Sequence, residues 1–369
     1  MRKHPYPQRA VQALPKRYHI QRFVAEQLPH LAPNHQHWLA YLVLALLTLQ
    51  TLAQSRVSIW LATFTATFPN TWRQRLKRLR QHPWNEPACF RALLRAVLTL
   101  LQPNPLWLAL DATTLGQRHT VLVLSVVCHA TAIPIAWRVL PAQQPGAWRT
   151  AWEALLASVR GVVPRTLPVY VLADRGLWAA WLFRAIQRNG WHPLLRVNAQ
   201  GRFRARWQRQ AQPLTAFCPE RGTQRAVEGY AFAYGLRCTL VVYWGMRAQE
   251  PWYLLTDVPA SVVDGAWYGL RSWIEQGFRH LKRGGWGWHR SRVVASERVF
   301  LDWLVYALGQ LLVVWFGVWG SSSLRLWDVS RRSVGERLLG LCLLLGWLLG
   351  LWEWDVGENW GFWEGGELK

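Results

Sequence analysis

The sequence predicts an α/β protein whose N-terminal region is helical, and two observations indicate this class. From residue 106 onward, apolar runs typical of buried strands alternate with stretches of helical periodicity. Before that point, the apolar residues recur at helical spacing, most clearly over residues 38–53. Apolar residues make up 51% of the 369-residue chain, so a large core can form.

The order of the predicted elements indicates a more specific fold within the α/β class. Three strands come first, separated by little more than turns, and a helix, a strand, a second helix and a further strand follow. In chain order these elements are residues 106–115, 119–130, 132–141, 147–163, 168–176, 178–188 and 191–198. This is the element order of a ribonuclease H-like domain.

The remaining patterns predict how the chain is organised. Residues 199–262 alternate apolar and polar side chains at strand period, which indicates a mainly β insertion. The chain is predicted to return to helix near Asp264. We therefore expect three regions: a helical domain over residues 1–104, an α/β domain over 105–320 and a Trp-rich tail over 321–369.

The charge of the chain indicates a polyanionic partner. Lys and Arg number 43 against 20 Asp and Glu, which gives a net charge of +23. Glu26 and Glu86 are the only acids in the first hundred residues. One basic segment in that region is interpreted as a helix laid against DNA phosphates, with a solvated amphipathic helix as the alternative. Its basic residues are Arg73, Arg75, Lys77, Arg78 and Arg80.

Several other classes of protein are disfavoured. The five cysteines show no paired spacing, which argues against a disulfide framework or a zinc site and fits a reducing cytosol. No glycine pattern for a bound nucleotide is present. Residues 301–319 and 338–352 are apolar, but the first carries Asp302 and Gln310, and the second is shorter than the ~20 residues of a membrane span. We expect buried helices and no membrane, with a membrane-associated protein as the alternative.

Two acids follow apolar strands in the α/β region. Asp111 and Asp174 would each lie at a strand end, and neighbouring strands would bring both within reach of one metal ion. For either residue alone, a turn or a helix cap is the simpler interpretation. Because there are two such strands, the sequence favours a metal site.

A third acid lies on a predicted helix with polar neighbours. At about 100° per residue, four side chains fall within an arc of about 60°, opposite Leu270, Ile274, Gly277 and Leu281. The four are Tyr268, Arg271, Glu275 and Lys282. They indicate either a metal-binding acid flanked by phosphate-binding groups or an exposed stripe of ion pairs.

This spacing, Y-x2-R-x3-E-x6-K, resembles the signature of IS4-type transposases of bacterial insertion sequences, a branch of the DDE transposases. Asp111 in LALDATTL and Asp174 in VLADRG are similar to the first two catalytic aspartates of that family. The resemblance covers roughly residues 40–320.

The resemblance implies a function and a mechanism. Asp111, Asp174 and Glu275 would bind two Mg²⁺ or Mn²⁺ ions on a ribonuclease H-like core and cut and rejoin DNA strands. Tyr268, Arg271 and Lys282 would bind the phosphate backbone. Expected partners are double-stranded DNA, comprising terminal inverted repeats and target DNA, and a second copy of the chain in a synaptic complex. The expected location is the bacterial cytoplasm, at the nucleoid.

Two points stay open from the sequence alone. Related enzymes pass through a DNA hairpin with a base flipped onto an aromatic side chain, for which Trp244, Trp252 and Trp267 are candidates. An inactive or repurposed transposase that only binds DNA is the alternative function, although all three acids are present.

Overall fold

The computed structural model describes residues 16–142, 148–232, 235–282, 285–291, 293–323 and 341–345. It is an α/β structure with one large sheet, which confirms the predicted fold class. Most of the Trp-rich tail predicted over residues 321–369 lies outside the described residues, as do the first 15 residues.

The chain begins with consecutive helices, as the apolar periodicity predicts. They are α1 (Lys16–Gln27), α2 (Pro33–Leu49), α3 (Gln54–Phe64), α4 (Pro69–Gln81) and α5 (Glu86–Leu101). Proline in the first turn starts α2 and α4, since the first N–H groups of a helix need no intrahelical partner. The side chain of Asn85 caps α5 by accepting a hydrogen bond from the Ala88 N–H at 3.2 Å.

The central part of the sheet has the strand order expected of a ribonuclease H-like core. Its strands are β1 (Leu106–Leu115), β2 (His119–Cys128), β3 (Thr131–Pro141), β4 (Val169–Ala173) and β5 (His192–Val197). They lie in the order β3-β2-β1-β4-β5, with β1 to β3 antiparallel and β1, β4 and β5 parallel. Two crossover helices, α6 (Trp148–Ser158) and α7 (Ala180–Gln187), connect the parallel strands.

The segment predicted as a β insertion extends this same sheet. It supplies β6 (Arg202–Ala205), β7 (Gln212–Pro213), β8 (Gln224–Ala231), β9 (Leu236–Tyr243) and β10 (Trp252–Thr256). β10 pairs antiparallel with β5, and β9, β8, β6 and β7 continue outward to the sheet edge. Over the residues that the structure describes, the sheet therefore has ten strands.

The two faces of the sheet are covered by different helices. Leu108 and Leu110 on β1 belong to a large apolar core shared with the N-terminal helices, α6 and α7. Ala109, between them, belongs to a smaller core on the other face, together with Tyr268 and Ile274. Successive side chains of a strand point to opposite faces, so this alternation places the second core under the segment that follows β10.

The sequence predicted one continuous α-helix for that segment, and this prediction is wrong: the segment consists of two helical elements. Residues Gly265–Arg271 form a 3₁₀ helix, and α8 (Ser272–Leu281) follows directly. Gly277 lets α8 approach β3 closely, because a Cβ atom at that position would lie 2.9 Å from the Cβ of Ala132. The side chains of Ile274 and Leu281 are buried, as expected for the face opposite the polar side chains.

Helix α9 (Ser296–Ser323) is the longest helix among the described residues, and its apolar middle part is buried. Among the described residues, Ser296–Val318 is the one helix long and apolar enough to cross a membrane, and its most apolar window is entirely buried. The bent pair of α2 and α3 reaches this length only if it is counted as one span, and its two helices meet at 107°. Core helices of soluble proteins have the same length and composition, so these properties do not by themselves favour the membrane alternative.

A buried ion pair joins α9 to α4. A guanidinium nitrogen of Arg80 lies 3.4 Å from a carboxylate oxygen of Asp302, and the two side chains are 11% and 5% exposed. Arg80 also donates to the amide oxygen of Gln54 at 3.0 Å, whereas its Nε has no hydrogen-bond partner in the described part of the chain. Burial raises the pKa of Asp302, and the positive charge of Arg80 opposes that rise.

We predict that Asp302→Ala lowers the free energy of unfolding by about 3–5 kcal/mol, because it leaves a buried guanidinium without its counter-charge. Denaturant unfolding checks this. The double variant Arg80→Met/Asp302→Leu should recover most of the loss, since it removes both charges. Glu228→Ala, which breaks an exposed pair with Arg206, is the control and should cost less than about 1 kcal/mol. An equal loss in the two single variants would contradict the prediction.

Candidate active site

The two predicted aspartates come from neighbouring parallel strands. Leu110 on β1 pairs with Ala173 on β4, and Asp111 and Asp174 directly follow these two residues in the chain. By the alternation described above, Asp111 shares the sheet face of Ala109, on the side of α8. The sequence analysis placed Asp111 at the end of its strand, and the structure corrects this. Strand β1 continues to Leu115, and Asp111 pairs with Val123 on β2.

Backbone groups orient both carboxylates. The Ala112 N–H donates to Oδ1 of Asp111 at 2.8 Å, and the Arg175 N–H donates to Oδ1 of Asp174 at 2.7 Å. The second oxygen of each carboxylate faces the guanidinium of Arg271, at the end of the 3₁₀ helix. The side chains of Asp111 and Asp174 are 21% and 35% exposed, so the site is open to solvent.

A single guanidinium contacts all three acids of the predicted triad. Nη2 of Arg271 lies 2.9 Å from Oδ2 of Asp111 and 3.5 Å from Oδ2 of Asp174, and Nη1 lies 2.6 Å from Oε1 of Glu275. The side chain of Arg271 is only 12% exposed, in contrast to 54% for Glu275. The structure therefore brings Asp111, Asp174 and Glu275 together around one cation.

The 3₁₀ helix also brings Tyr268 into the site. Its hydroxyl donates to Oδ1 of Asp174 at 3.3 Å, and its ring packs edge-on against Trp252 with centroids 5.1 Å apart. Tyr268 is buried, at 4% exposure. Burial and the nearby Asp174 carboxylate raise the pKa of Tyr268, which keeps the phenol protonated and able to donate.

The charges of the site influence one another. Burial raises the pKa of Asp111, and the carboxylates of Asp174 and Glu275 raise it further, whereas Arg271 acts to lower it. Burial acts to lower the pKa of Arg271, but the surrounding acids, Asp111 first, raise it overall. Three acids share one cation, so the group carries an excess of negative charge.

The other predicted binding residues lie at the end of α8 and on α4. Lys282 directly follows the last residue of α8, and its N–H donates to the Phe278 carbonyl at 3.0 Å. On α4, Arg73, Lys77 and Arg78 are exposed and form no ion pair with a described residue.

The remaining two basic residues of α4 make contacts within the protein. The guanidinium of Arg75 stacks over Trp72 at 4.9 Å from the ring centroid. Arg80 is in the buried pair with Asp302, so it does not belong to the exposed basic face of the helix.

The three tryptophans singled out from the sequence are all packed. Trp252 contacts Tyr268, and Trp267 packs against Trp107 and Tyr170 at centroid distances of 5.5 and 5.3 Å. The indole N–H of Trp244 donates to the Ala248 carbonyl at 3.1 Å.

A different tryptophan, which the sequence analysis missed, lies in the loop that carries Asp174. Trp178 is 40% exposed and stacks on Phe232, with centroids 5.6 Å apart and rings inclined by 13°. Both rings line a cavity of about 590 Å³, and Arg202 and Arg204 line it as well. Its position four residues after an acid at a strand end is the signal that could have identified it.

The three acids suit the divalent metal ions that the resemblance implies. Carboxylates with solvent access are the hard oxygen ligands that Mg²⁺ and Mn²⁺ prefer. Within the described ranges, however, no three His, Cys, Asp or Glu side chains could hold a metal ion as they stand. In this group, Arg271 lies among the carboxylates. The carboxylate oxygens are suitable ligands for Mg²⁺ or Mn²⁺, but in this structure the guanidinium of Arg271 occupies the space between them.

A comparison with known protein families shows the family of this chain. The family described as "Transposase DDE domain" matches residues 107–312, more than half of the chain. None of the curated proteins matches the chain. Among solved structures, a piggyBac transposase synaptic complex with hairpin DNA is similar, with 11% identity, a TM-score of 0.41 and coverage of 89% of this chain and 75% of that chain. That similarity is too distant to assign a function. The family match over residues 107–312 is decisive, and the chain belongs to the DDE transposases.

Proposed function

We propose that this DDE transposase is of the IS4 type and that it cuts and rejoins DNA strands at the ends of an insertion sequence. The observation that carries the proposal is the convergence of Asp111, Asp174 and Glu275 on the Arg271 guanidinium. These residues come from three separate segments, and they bring three negative charges to one place.

Asp111, Asp174 and Glu275 would hold the divalent ions, Mg²⁺ or Mn²⁺, with two ions expected. When bound, such ions activate the attacking oxygen and stabilise the leaving oxygen in phosphoryl transfer. The hydrogen bonds from the Ala112 and Arg175 N–H groups fix the orientation of the two aspartates. Fixed carboxylates lose little conformational freedom when a ligand binds.

The neighbouring residues would bind the DNA backbone. Arg271 offers a planar fork that pairs with two phosphate oxygens, and Lys282 offers a flexible point charge. The Tyr268 hydroxyl would continue to donate to Asp174 and so hold that carboxylate in place. In this assignment Arg271 binds DNA and Tyr268 is a positioning residue.

The exposed basic face of α4 would bind duplex DNA away from the cut. It consists of Arg73, Lys77 and Arg78, with Arg75 at its border. Double-stranded DNA, as terminal inverted repeats and target, is the proposed partner, and two copies of the chain would be needed to hold two ends together. The proposed location is the bacterial cytoplasm, at the nucleoid.

The alternative function, DNA binding without catalysis, is less well supported. A protein that only binds DNA has no use for three acids at the point where phosphates would lie, because they repel the backbone. The retained acids therefore favour an active enzyme.

The cavity beside the loop of Asp174 is the proposed position for an unpaired base. Trp178 and Phe232 supply ring faces for stacking, and Arg202 and Arg204 supply positive charge for the adjoining phosphates.

The acids give the first prediction for this function. Asp111→Asn, Asp174→Asn and Glu275→Gln should each abolish metal-dependent cleavage of a duplex with matched transposon ends, because each removes one anionic ligand. A gel cleavage assay measures this, and a gel-shift assay should show DNA binding largely retained. Glu297→Gln, an exposed acid outside the site, is the control and should cleave normally. A variant with undiminished cleavage would exclude that residue from the catalytic set.

The exposed basic face of α4 gives the second prediction for this function. Replacing Arg73, Lys77 and Arg78 together by Ala should reduce the slope of log affinity against log salt by about 0.9 for each phosphate that the protein no longer neutralises. Fluorescence anisotropy over a salt series measures the slope. Gln74→Ala on the same helix is the control for a change in helix structure. An unchanged slope in the triple variant would place the DNA elsewhere.

The cavity lined by Trp178 and Phe232 gives the third prediction for this function. Trp178→Ala should weaken binding of DNA ends that carry an unpaired base by roughly 5- to 150-fold, the range for loss of one stacking interaction. A 2-aminopurine at the unpaired position reports the loss of stacking as a rise in fluorescence. Trp207→Ala, at a more exposed tryptophan outside the cavity, is the control. Equal effects of the two variants would rule out a specific role for Trp178.

A further inference from the structure

Arg271 has an unusual position for a residue that binds DNA. A phosphate-binding side chain is expected to project into solvent, yet Arg271 is turned inward and is 12% exposed. Its two terminal nitrogens are used by the three acids, whereas its buried Nε has no hydrogen-bond partner among the described residues. The guanidinium is therefore held by charge among the acids while one of its donors remains unsatisfied.

A guanidinium in this position competes with a metal ion for the same oxygens. Oδ2 of Asp111 and Oδ2 of Asp174 face the same nitrogen of Arg271, and the third acid faces its other terminal nitrogen. Arginine has only donors and stays charged at all relevant pH values, so it cannot act as a ligand to a cation. A divalent ion among these carboxylates and an inward Arg271 would repel each other at close range.

We propose that Arg271 is an internal counter-ion that suppresses binding of divalent cations until DNA arrives, and that a DNA phosphate then draws it away from the acids. This inference rests on the proposed function, because it assigns the metal to the same three acids. It adds that the metal site is blocked in the DNA-free protein and opens only with substrate.

The structure supplies the reason why a phosphate can compete for Arg271. A phosphate accepts two parallel hydrogen bonds from an arginine fork, and such a pair can use the Nε donor, which no described residue accepts from. Departure of Arg271 leaves three acids without their shared cation, and their mutual repulsion then favours the uptake of positive charge.

The two binding events are then thermodynamically linked. If DNA raises the affinity for the cation, the cation must raise the affinity for DNA by the same factor. The arrangement would limit metal-dependent cleavage to the moment at which a strand lies in the site.

The experiment measures Mn²⁺ binding to the full chain by electron paramagnetic resonance, with and without a blunt DNA duplex at constant salt. For the wild type, we expect duplex to increase the Mn²⁺ affinity about tenfold or more, within the usual range of coupling between sites. Without DNA, Arg271→Met should bind Mn²⁺ about tenfold more tightly than the wild type, and duplex should add little. Arg271→Gln, which keeps a polar side chain without the charge, should behave in the same way.

Arg279→Met is the matched control. Arg279 is an exposed arginine two turns further along α8, so its loss removes the same charge without opening the acids. We expect its Mn²⁺ affinity, with and without DNA, to equal that of the wild type. Circular dichroism melting shows whether each variant is folded.

The outcomes separate this inference from the proposed function. If both Arg271 variants bind Mn²⁺ no more tightly than the wild type, while Asp111→Asn abolishes binding, the counter-ion role is wrong and the metal site stands. If Arg279→Met gains affinity as much as the Arg271 variants, the effect is general electrostatics and the role is again wrong. If Asp111→Asn and Glu275→Gln leave Mn²⁺ binding unchanged in the presence of DNA, the acids do not hold the metal, and the proposed function fails with it.

Discussion

The contact of one guanidinium with three carboxylates is the interaction on which the site depends. Asp111 lies on β1, Asp174 directly follows the neighbouring strand β4, and Glu275 lies on α8, so without a shared cation the three acids would repel one another. Arg271 lies where the 3₁₀ helix meets α8, which lets a single side chain reach both strands and its own helix. The same contact orders the site and fills the space between its acids.

The scaffold around the site explains why these side chains meet. Pairing of Leu110 with Ala173 brings the two aspartates to the same level of the sheet, and the period of the strands turns Asp111 toward α8. On the helix side, the absence of a side chain at Gly277 lets α8 lie directly against Ala132. Register and close packing are thus as important to the chemistry as the charged residues themselves.

Much of this arrangement could be predicted from the sequence, and the exceptions have physical causes. Apolar runs located the central strands because buried strands have a distinct composition, and the acids stood out because they interrupt those runs. Periodicity did not reveal that Tyr268 lies on a 3₁₀ helix, since such a short turn has no pattern of its own. The buried state of Arg80 depends on Asp302, which is 222 residues away in the chain, so no local pattern could indicate it.

One of the two edge strands of the sheet, β7, has a consequence for how another polypeptide can approach that edge. β7 consists of only Gln212 and Pro213, and proline has no N–H to offer to a further strand. A long, regular rim would invite another polypeptide to add itself by backbone hydrogen bonding, which is a common route to aggregation. β7 has only two residues and one missing N–H, so a polypeptide that meets this edge would contact it through side chains rather than by extending the sheet.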